Sequence, residues 1–255
     1  MIKRKIMIVL LIFALIGLWF ADSALSQEPK LIARWPFDES SGNIVHDAVG
    51  DNDGERVGGP EWVAAKFGNG IQFDQKTGQY VEVPAAPELA PTDSLTLMAW
   101  VKVNSAAGRQ EIVCYGDSYD ILINNGVFKT YIHQAGAFPR APGKTPVETD
   151  KWYFLAMTYD SKDLKLYVDG KLDGSAKLPG GIDFLGLPLR FSNNPAAPGE
   201  AWGISGILDE VELWDKPMTD EEISKAYESP LAFLAVSSKG KLTTTWAAVK
   251  NDEDR

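Results

Sequence analysis

The chain has 255 residues, 24% of them charged and 45% apolar, which suits one folded domain and excludes a disordered chain. A formal net charge of −10 disfavours nucleic acid and anionic membrane surfaces as partners, because their phosphates would repel it. The single cysteine, Cys114, excludes an intrachain disulfide and, lying in the apolar run EIVCYG, reads as a buried thiol.

Residues 1–26 read as a secretory signal peptide. Lys3, Arg4 and Lys5 are followed by the uncharged run Ile6 to Phe20, which is short for a membrane span. Ala24 and Ser26 place small residues at a cleavage site after Ser26. The leader predicts a secreted, periplasmic or cell-surface protein, with no membrane contact apart from the leader; the alternative is an uncleaved anchor. Residues 27–228 form the expected domain, and 229–255 an extension of unassigned role.

Period-two alternation recurs from Leu31 to Trp214. In LTLMAWVKV, Leu95, Leu97, Ala99, Val101 and Val103 share one face, and Thr96, Met98, Trp100 and Lys102 the other. In WYFLAMTYD both parities are apolar, which predicts a central strand covered on both sides. In KLYVDGKL, Asp169-Gly170 can take positive φ at both turn positions, so a hairpin is expected there. Turn clusters such as SGNIVHDAVGDNDGERVGGP, INNG and NNPAAPGEA separate the runs. Many short strands without alternating helices predict an all-β antiparallel sandwich. One short helix is marked near its C-terminal end, where Thr219 and Glu222 form a capping box and the helix runs to about Tyr227.

The motifs ARWPFDESSG, FGNGIQF, YVEVP, SLTLMAWVKV, DKWYFLAMTYD, LKLYVDGKLDG and GILDEVELWDKPMTDEEISKAY follow one another in an order that resembles laminin-G-like jelly-roll domains. These belong to the concanavalin A-like lectin/glucanase superfamily, here in a bacterial secreted form. The resemblance implies a jelly-roll β-sandwich over about residues 31–228. It leaves function open, because that fold hosts binding modules, adhesins and enzymes alike.

The stretch ISGILDEVELW holds three acids. In a regular strand, Ile207, Asp209, Val211 and Leu213 share a face, and Leu208, Glu210, Glu212 and Trp214 the other. Glu210 and Glu212 are then expected on a wet face, and Asp209 on the apolar side, where an ionised carboxylate needs a partner. Superfamily glucanases carry an acid-x-Asp-x-acid pattern. The positions two away from Asp209 are Ile207 and Val211, so no catalytic residues are assigned.

The resemblance implies a calcium ion near the first strand and last sandwich strand. Asp38, Asp47 and Asp209 match the acids of that region, and Asn52 matches more loosely; calcium takes six to eight oxygens of this kind. The alternative is that these residues cap turns by accepting backbone N–H groups. Zinc is disfavoured with one cysteine and only His46 and His133.

The segment YIHQAGAFPRAPGKTP reads as a long loop with Tyr131, His133 and Phe138, and Trp202 lies in a second loop. Aromatic faces stack on sugars and polar groups read hydroxyls, so these four are candidate ligand contacts. The alternative is that such aromatics pin the loops to the core. Trp62 and Trp100 read as packing residues. The expected function is a secreted, non-enzymatic recognition module, stabilised by calcium and binding a glycan or an extracellular protein. The alternatives are a carbohydrate-active hydrolase or lyase, and a structural or adhesive envelope component.

Overall fold

A computed structural model of the chain describes residues 29–197, 202–230 and 233. The leader and nearly all of the 229–255 extension lie outside the described residues. The strands, in chain order, are β1 (Leu31–Trp35), β2 (Ile44–Val45), β3 (Gly54–Val57), β4 (Glu61–Ala64), β5 (Asn69–Phe73) and β6 (Tyr80–Val83). There follow β7 (Leu95–Val103), β8 (Arg109–Tyr115), β9 (Tyr119–Asn124), β10 (Val127–Ile132) and β11 (Arg140–Pro146). The last are β12 (Trp152–Tyr159), β13 (Asp163–Val168), β14 (Lys171–Lys177), β15 (Leu189–Phe191) and β16 (Gly206–Trp214), with the α-helix α1 (Asp220–Glu228) behind them.

They form two antiparallel sheets of eight strands each. The first runs β14-β13-β12-β7-β16-β5-β4, with β1 also on β16; the second runs β11-β10-β9-β8-β15-β6-β3-β2. The main core lies between them. Leu95, Leu97, Ala99, Val101 and Val103 of β7 enter it from one side, and Tyr119, Ile121 and Ile123 of β9 from the other. This is the sandwich that the alternation predicts.

The other face of the first sheet is covered too. Met98, Trp100, Phe154, Ala156, Tyr167 and Trp214 pack there against Ile223 and Ala226 of α1. This explains why both parities of β12 are apolar: the strand is sandwiched between core and helix. The helix begins as its sequence predicts, with the Thr219 hydroxyl accepting the Glu222 N–H at 3.2 Å and Glu222 accepting the Thr219 N–H at 2.7 Å. Tyr227 stacks on Trp100 with ring centres 5.7 Å apart. The β13–β14 turn also forms as expected, with Asp169 at φ 49° and Gly170 at φ 76°. Cys114 is buried, as its apolar run implies.

Two expectations fail. The turn cluster from Ser41 to Pro60 contains two short strands, β2 and β3, which close one edge of the second sheet. The segment YIHQAGAFPRAPGKTP is mostly strand: Tyr131 and Ile132 close β10, Arg140 and Lys144 lie on β11, and only the turn between them carries His133 and Phe138.

β16 departs furthest from a regular strand. Asp209 pairs with Trp100 of β7, but the next pair is Glu212 with Met98, so β16 has one residue more than its neighbour. Glu210 takes the strain at φ 50°. Such a bulge resets the alternation. Leu208 points into the main core before it, and Val211 and Leu213 after it.

Candidate ligand-binding site

The bulge corrects the parity reading of ISGILDEVELW. Asp209 does not share a face with Val211 and Leu213; its pairing with Trp100 places it on the helix-covered face, with Glu212 and Trp214. Nor are Glu210 and Glu212 on a wet face, since each is only 6% exposed. Arg34 of β1 reaches them across the strand pair. Its Nη2 is 2.5 Å from Glu210 Oε2, and its Nε is 3.9 Å from Glu212 Oε1. Trp214 donates its indole N–H to Glu212 at 3.0 Å. Burial, only partly offset by Arg34, pushes the Glu212 carboxyl up to about 7.

The four candidate calcium ligands fall into two hydrogen-bonded groups. Asp47 accepts the N–H of Arg34 and of Val49, both at 3.0 Å, and the Asn52 side-chain amide at 3.0 Å. Its oxygens thus organise the loop after β1, the turn-capping role. The other group is Asp38 and Asp209, set around one turn. Asp38 accepts the Asn69 N–H at 3.1 Å and Asp209 the Phe67 N–H at 2.8 Å. Between them is Gly68, at φ 74°, where an added Cβ would meet Asp38 Oδ1. Asp209 Oδ1 is buried without a hydrogen-bond partner. Burial, with the charges of Glu210 and Asp38, pushes the Asp209 carboxyl up to about 8. Among the described residues, no three His, Cys, Asp or Glu side chains converge on a metal position. An ion at Asp38 and Asp209 would draw its remaining oxygens from loop carbonyls and water, as calcium permits.

The four candidate ligand contacts meet on the second sheet, on the face turned away from the main core. Tyr119 and Ile121 of β9 point inward, so Asp120 between them points outward, flanked by Cys114 of β8 and Tyr131 of β10. Tyr131 is edge-on to Phe138 with ring centres 5.6 Å apart, and Phe138 to His133 is 5.0 Å. The Arg109 guanidinium lies 5.8 Å from the Tyr131 ring and 4.1 Å from the Trp202 ring. Arg140 flanks Tyr131 at 5.9 Å. Thus Trp202, Arg109, Tyr131, Phe138 and His133 form one continuous row. Phe138 is 41% exposed and Tyr131 only 1%, so Tyr131 forms the floor and Phe138 a wall.

Below the row lies a polar foundation that sequence reasoning missed. Arg109 Nε is 2.5 Å from Glu111 Oε1. The Tyr131 hydroxyl donates to Asp117 at 2.6 Å, and Asn194 donates to the same oxygen at 2.5 Å. Asp120 and Glu111 are fully buried. The sequence did hold a signal: an acid inside each of the apolar runs QEIVCY and YDILI, where burial demands a partner. A second bulge, between Glu111 and Val113, aims Glu111 at this face.

The description of the matching family model is the concanavalin A-like lectin/glucanases superfamily, and it covers residues 75–224. No curated protein sequence matches the chain. Among solved structures, domain 4 of AbnA, an extracellular GH43 arabinanase from Geobacillus stearothermophilus in complex with arabinotriose, is similar at 16% identity and TM-score 0.62. That match covers 78% of this chain and 98% of that one. The binding domain of Paraclostridial Mosquitocidal Protein 1 is similar at 14% identity and TM-score 0.65, over 78% of this chain and 52% of that one. The binding domain of botulinum neurotoxin DC in complex with SialylT is similar at 15% identity and TM-score 0.62, over 78% of this chain and 51% of that one. The chain therefore spans about half the length of these two toxin binding domains. At such identities the shared property is the fold. With the sandwich, the motif order and a family model matching more than half of its length, the chain belongs to the concanavalin A-like lectin/glucanases superfamily.

Proposed function

We propose that this chain is a non-enzymatic recognition module that binds a glycan on the outer face of its second sheet. The observation that carries the reading is the row Trp202, Arg109, Tyr131, Phe138 and His133, which sets aromatic faces beside hydrogen-bond donors. That combination suits sugar C–H surfaces and hydroxyls. Solved neighbours in complex with arabinotriose and with SialylT lend support at the level of a shared fold. A hydrolase is disfavoured by geometry. Glu111 and Asp120, the acids beneath the row, are fully buried, whereas glycosidase carboxyls must reach the bond they flank. A glycan array on the chain without residues 1–26, repeated with Trp202→Ala and Phe138→Ala, tests the reading. Binding that both substitutions weaken supports it, and a blank array overturns it.

The calcium reading rests on the partnerless Oδ1 of Asp209 beside Asp38. A bound divalent cation would satisfy that oxygen and offset the repulsion between the two carboxylates. Export rests on the leader of residues 1–26, and N-terminal sequencing of the protein recovered outside the cytoplasm would test cleavage after Ser26.

A further inference from the structure

Two buried acids under the ligand row share one cation. Glu111 Oε1 takes the Arg109 Nε contact, but Glu111 Oε2 and both oxygens of Asp120 receive no N–H or O–H hydrogen bond. Three bare carboxylate oxygens in a fully buried site are costly when both groups are ionised. A single proton removes most of that cost: an O–H on Asp120 donates to Glu111 Oε2, and the remaining charge is met by Arg109.

We propose that Glu111 and Asp120 share one proton beneath the ligand row, and that through Arg109 this proton fixes the position of Trp202. The two acids are positioning residues for recognition. The inference rests on the glycan-binding reading only for the purpose of that position; the proton and the Trp202 pose are measurable without any ligand. The chain of contacts is short. Glu111 and Asp120 are buried on the same face of the paired strands β8 and β9, Glu111 holds Arg109, and Arg109 stacks under Trp202. The Glu111 N–H also donates to the Trp202 carbonyl at 2.6 Å, so the same residue grips both ends of the stack.

The other charged and titratable groups facing the pair do not supply a second cation. The Cys114 thiol pairs in register with Asp120, and burial pushes it well above the usual thiol range. Tyr131 is held protonated by burial and donates to Asp117, itself an acid in the β8–β9 turn. Arg190 on β15, in register with Cys114, is committed to Glu82 at 2.7 Å. Lys129, in register with Leu122, lies two strands from Glu111, and Arg140 lies over the far side of Tyr131. Burial first, and then the Glu111 charge, raise the Asp120 carboxyl well above the carboxylate range. Loss of the proton to solvent at high pH leaves two carboxylates against one guanidinium. The acids then separate by repulsion, and Arg109 moves with them.

The test uses the protein labelled with 5-fluorotryptophan, with the Trp202 resonance assigned by its loss in Trp202→Phe. Fluorine NMR is followed from pH 5 to the alkaline limit of folding, beside infrared spectra of the carboxyl stretch at pH 7. The expected results are protonated-carboxyl intensity at pH 7, beyond that of Asp209 and Glu212, which Asp120→Asn removes, and a Trp202 shift with rising pH that is present in the wild type and absent in Asp120→Asn. Glu111→Gln, which keeps one acceptor oxygen, puts an NH2 donor in place of the other and so removes the shared proton, gives the same loss of the Trp202 shift if Asp120→Asn does not fold. Protonated-carboxyl intensity equal in wild type and Asp120→Asn, or an equal Trp202 shift in wild type and both variants, overturns the proposal. A blank glycan array alongside a positive result here would sink the recognition reading alone.

Discussion

The guanidinium of Arg109 stands 4.1 Å from the centre of the Trp202 ring, so a strand residue and a loop residue are joined by a cation–π stack. The two ends of that stack are anchored unequally. Trp202 contributes a partly exposed ring. Arg109 carries in addition the charge that balances Glu111, whose side chain is fully buried. Trp202→Ala is expected to lower stability by about 1 kcal/mol or less, the range for a partly exposed cation–π pair. Arg109→Ala is expected to cost about 3 kcal/mol, the low end for orphaning one member of a buried ion pair, because Arg109 itself is partly exposed. Urea denaturation of both variants measures the difference; equal losses would show that Glu111 does not depend on Arg109.

Stability should depend on pH through Glu212. Its folded value of about 7 lies above the ordinary 4.5, because burial outweighs Arg34. Stability from this group is therefore complete below pH 4.5 and declines as pH rises towards 7. Glu212→Gln stays neutral and keeps an acceptor for the Trp214 N–H. Its unfolding free energy should fall less than that of the wild type between pH 4.5 and 7. Parallel pH profiles would refute this.

If calcium sits at Asp38 and Asp209, a chelator should lower the melting temperature by about 5 °C or more, the effect of removing a ligand held at many times its dissociation constant. Asp209→Ala should abolish that response. Gly68→Ala should do the same without touching a carboxylate, since its Cβ would displace Asp38 Oδ1. A melting temperature indifferent to chelator would remove the metal from consideration.

The helix serves as a cover for Trp100, Phe154 and Trp214. Thr219→Ala removes the cap and is expected to cost about 1 kcal/mol. Serine at the same position should restore most of it, because its hydroxyl accepts the same Glu222 N–H. Thermal melts of the two variants check this, and a loss in both would point to the Thr219 methyl group instead.

Much of the architecture was legible in the sequence because it depends on local rules. Period-two alternation in LTLMAWVKV assigns its inward face, Asp169-Gly170 has the turn chemistry of a hairpin, and Thr219 with Glu222 caps the helix. The aromatic candidates also held together: Tyr131, His133, Phe138 and Trp202 lie in one row, although 71 residues separate Tyr131 from Trp202 along the chain. What escaped depends on partners distant in sequence. Nothing near Glu210 announces that Arg34, far up the chain, will neutralise it. Nothing near Glu111 announces Asp120 across the strand pair. Asp209, which was misread, and Glu111, which was missed, both stand beside bulges, and period-two counting fails at an inserted residue because it assumes one residue per step.

The bulge at Glu210 also makes the central strand tolerant of a change that strands rarely survive. Shortening a strand by one residue normally turns every later side chain inside out. Here, removing Glu210 would leave Leu208, Asp209, Val211, Glu212 and Leu213 in strict alternation, with each side chain still on the face it occupies now. The chain could lose a residue in the middle of its sheet and keep its layers. It would give up the ion pair to Arg34 and the kink, so that one position holds the difference between a straight strand and a charged one.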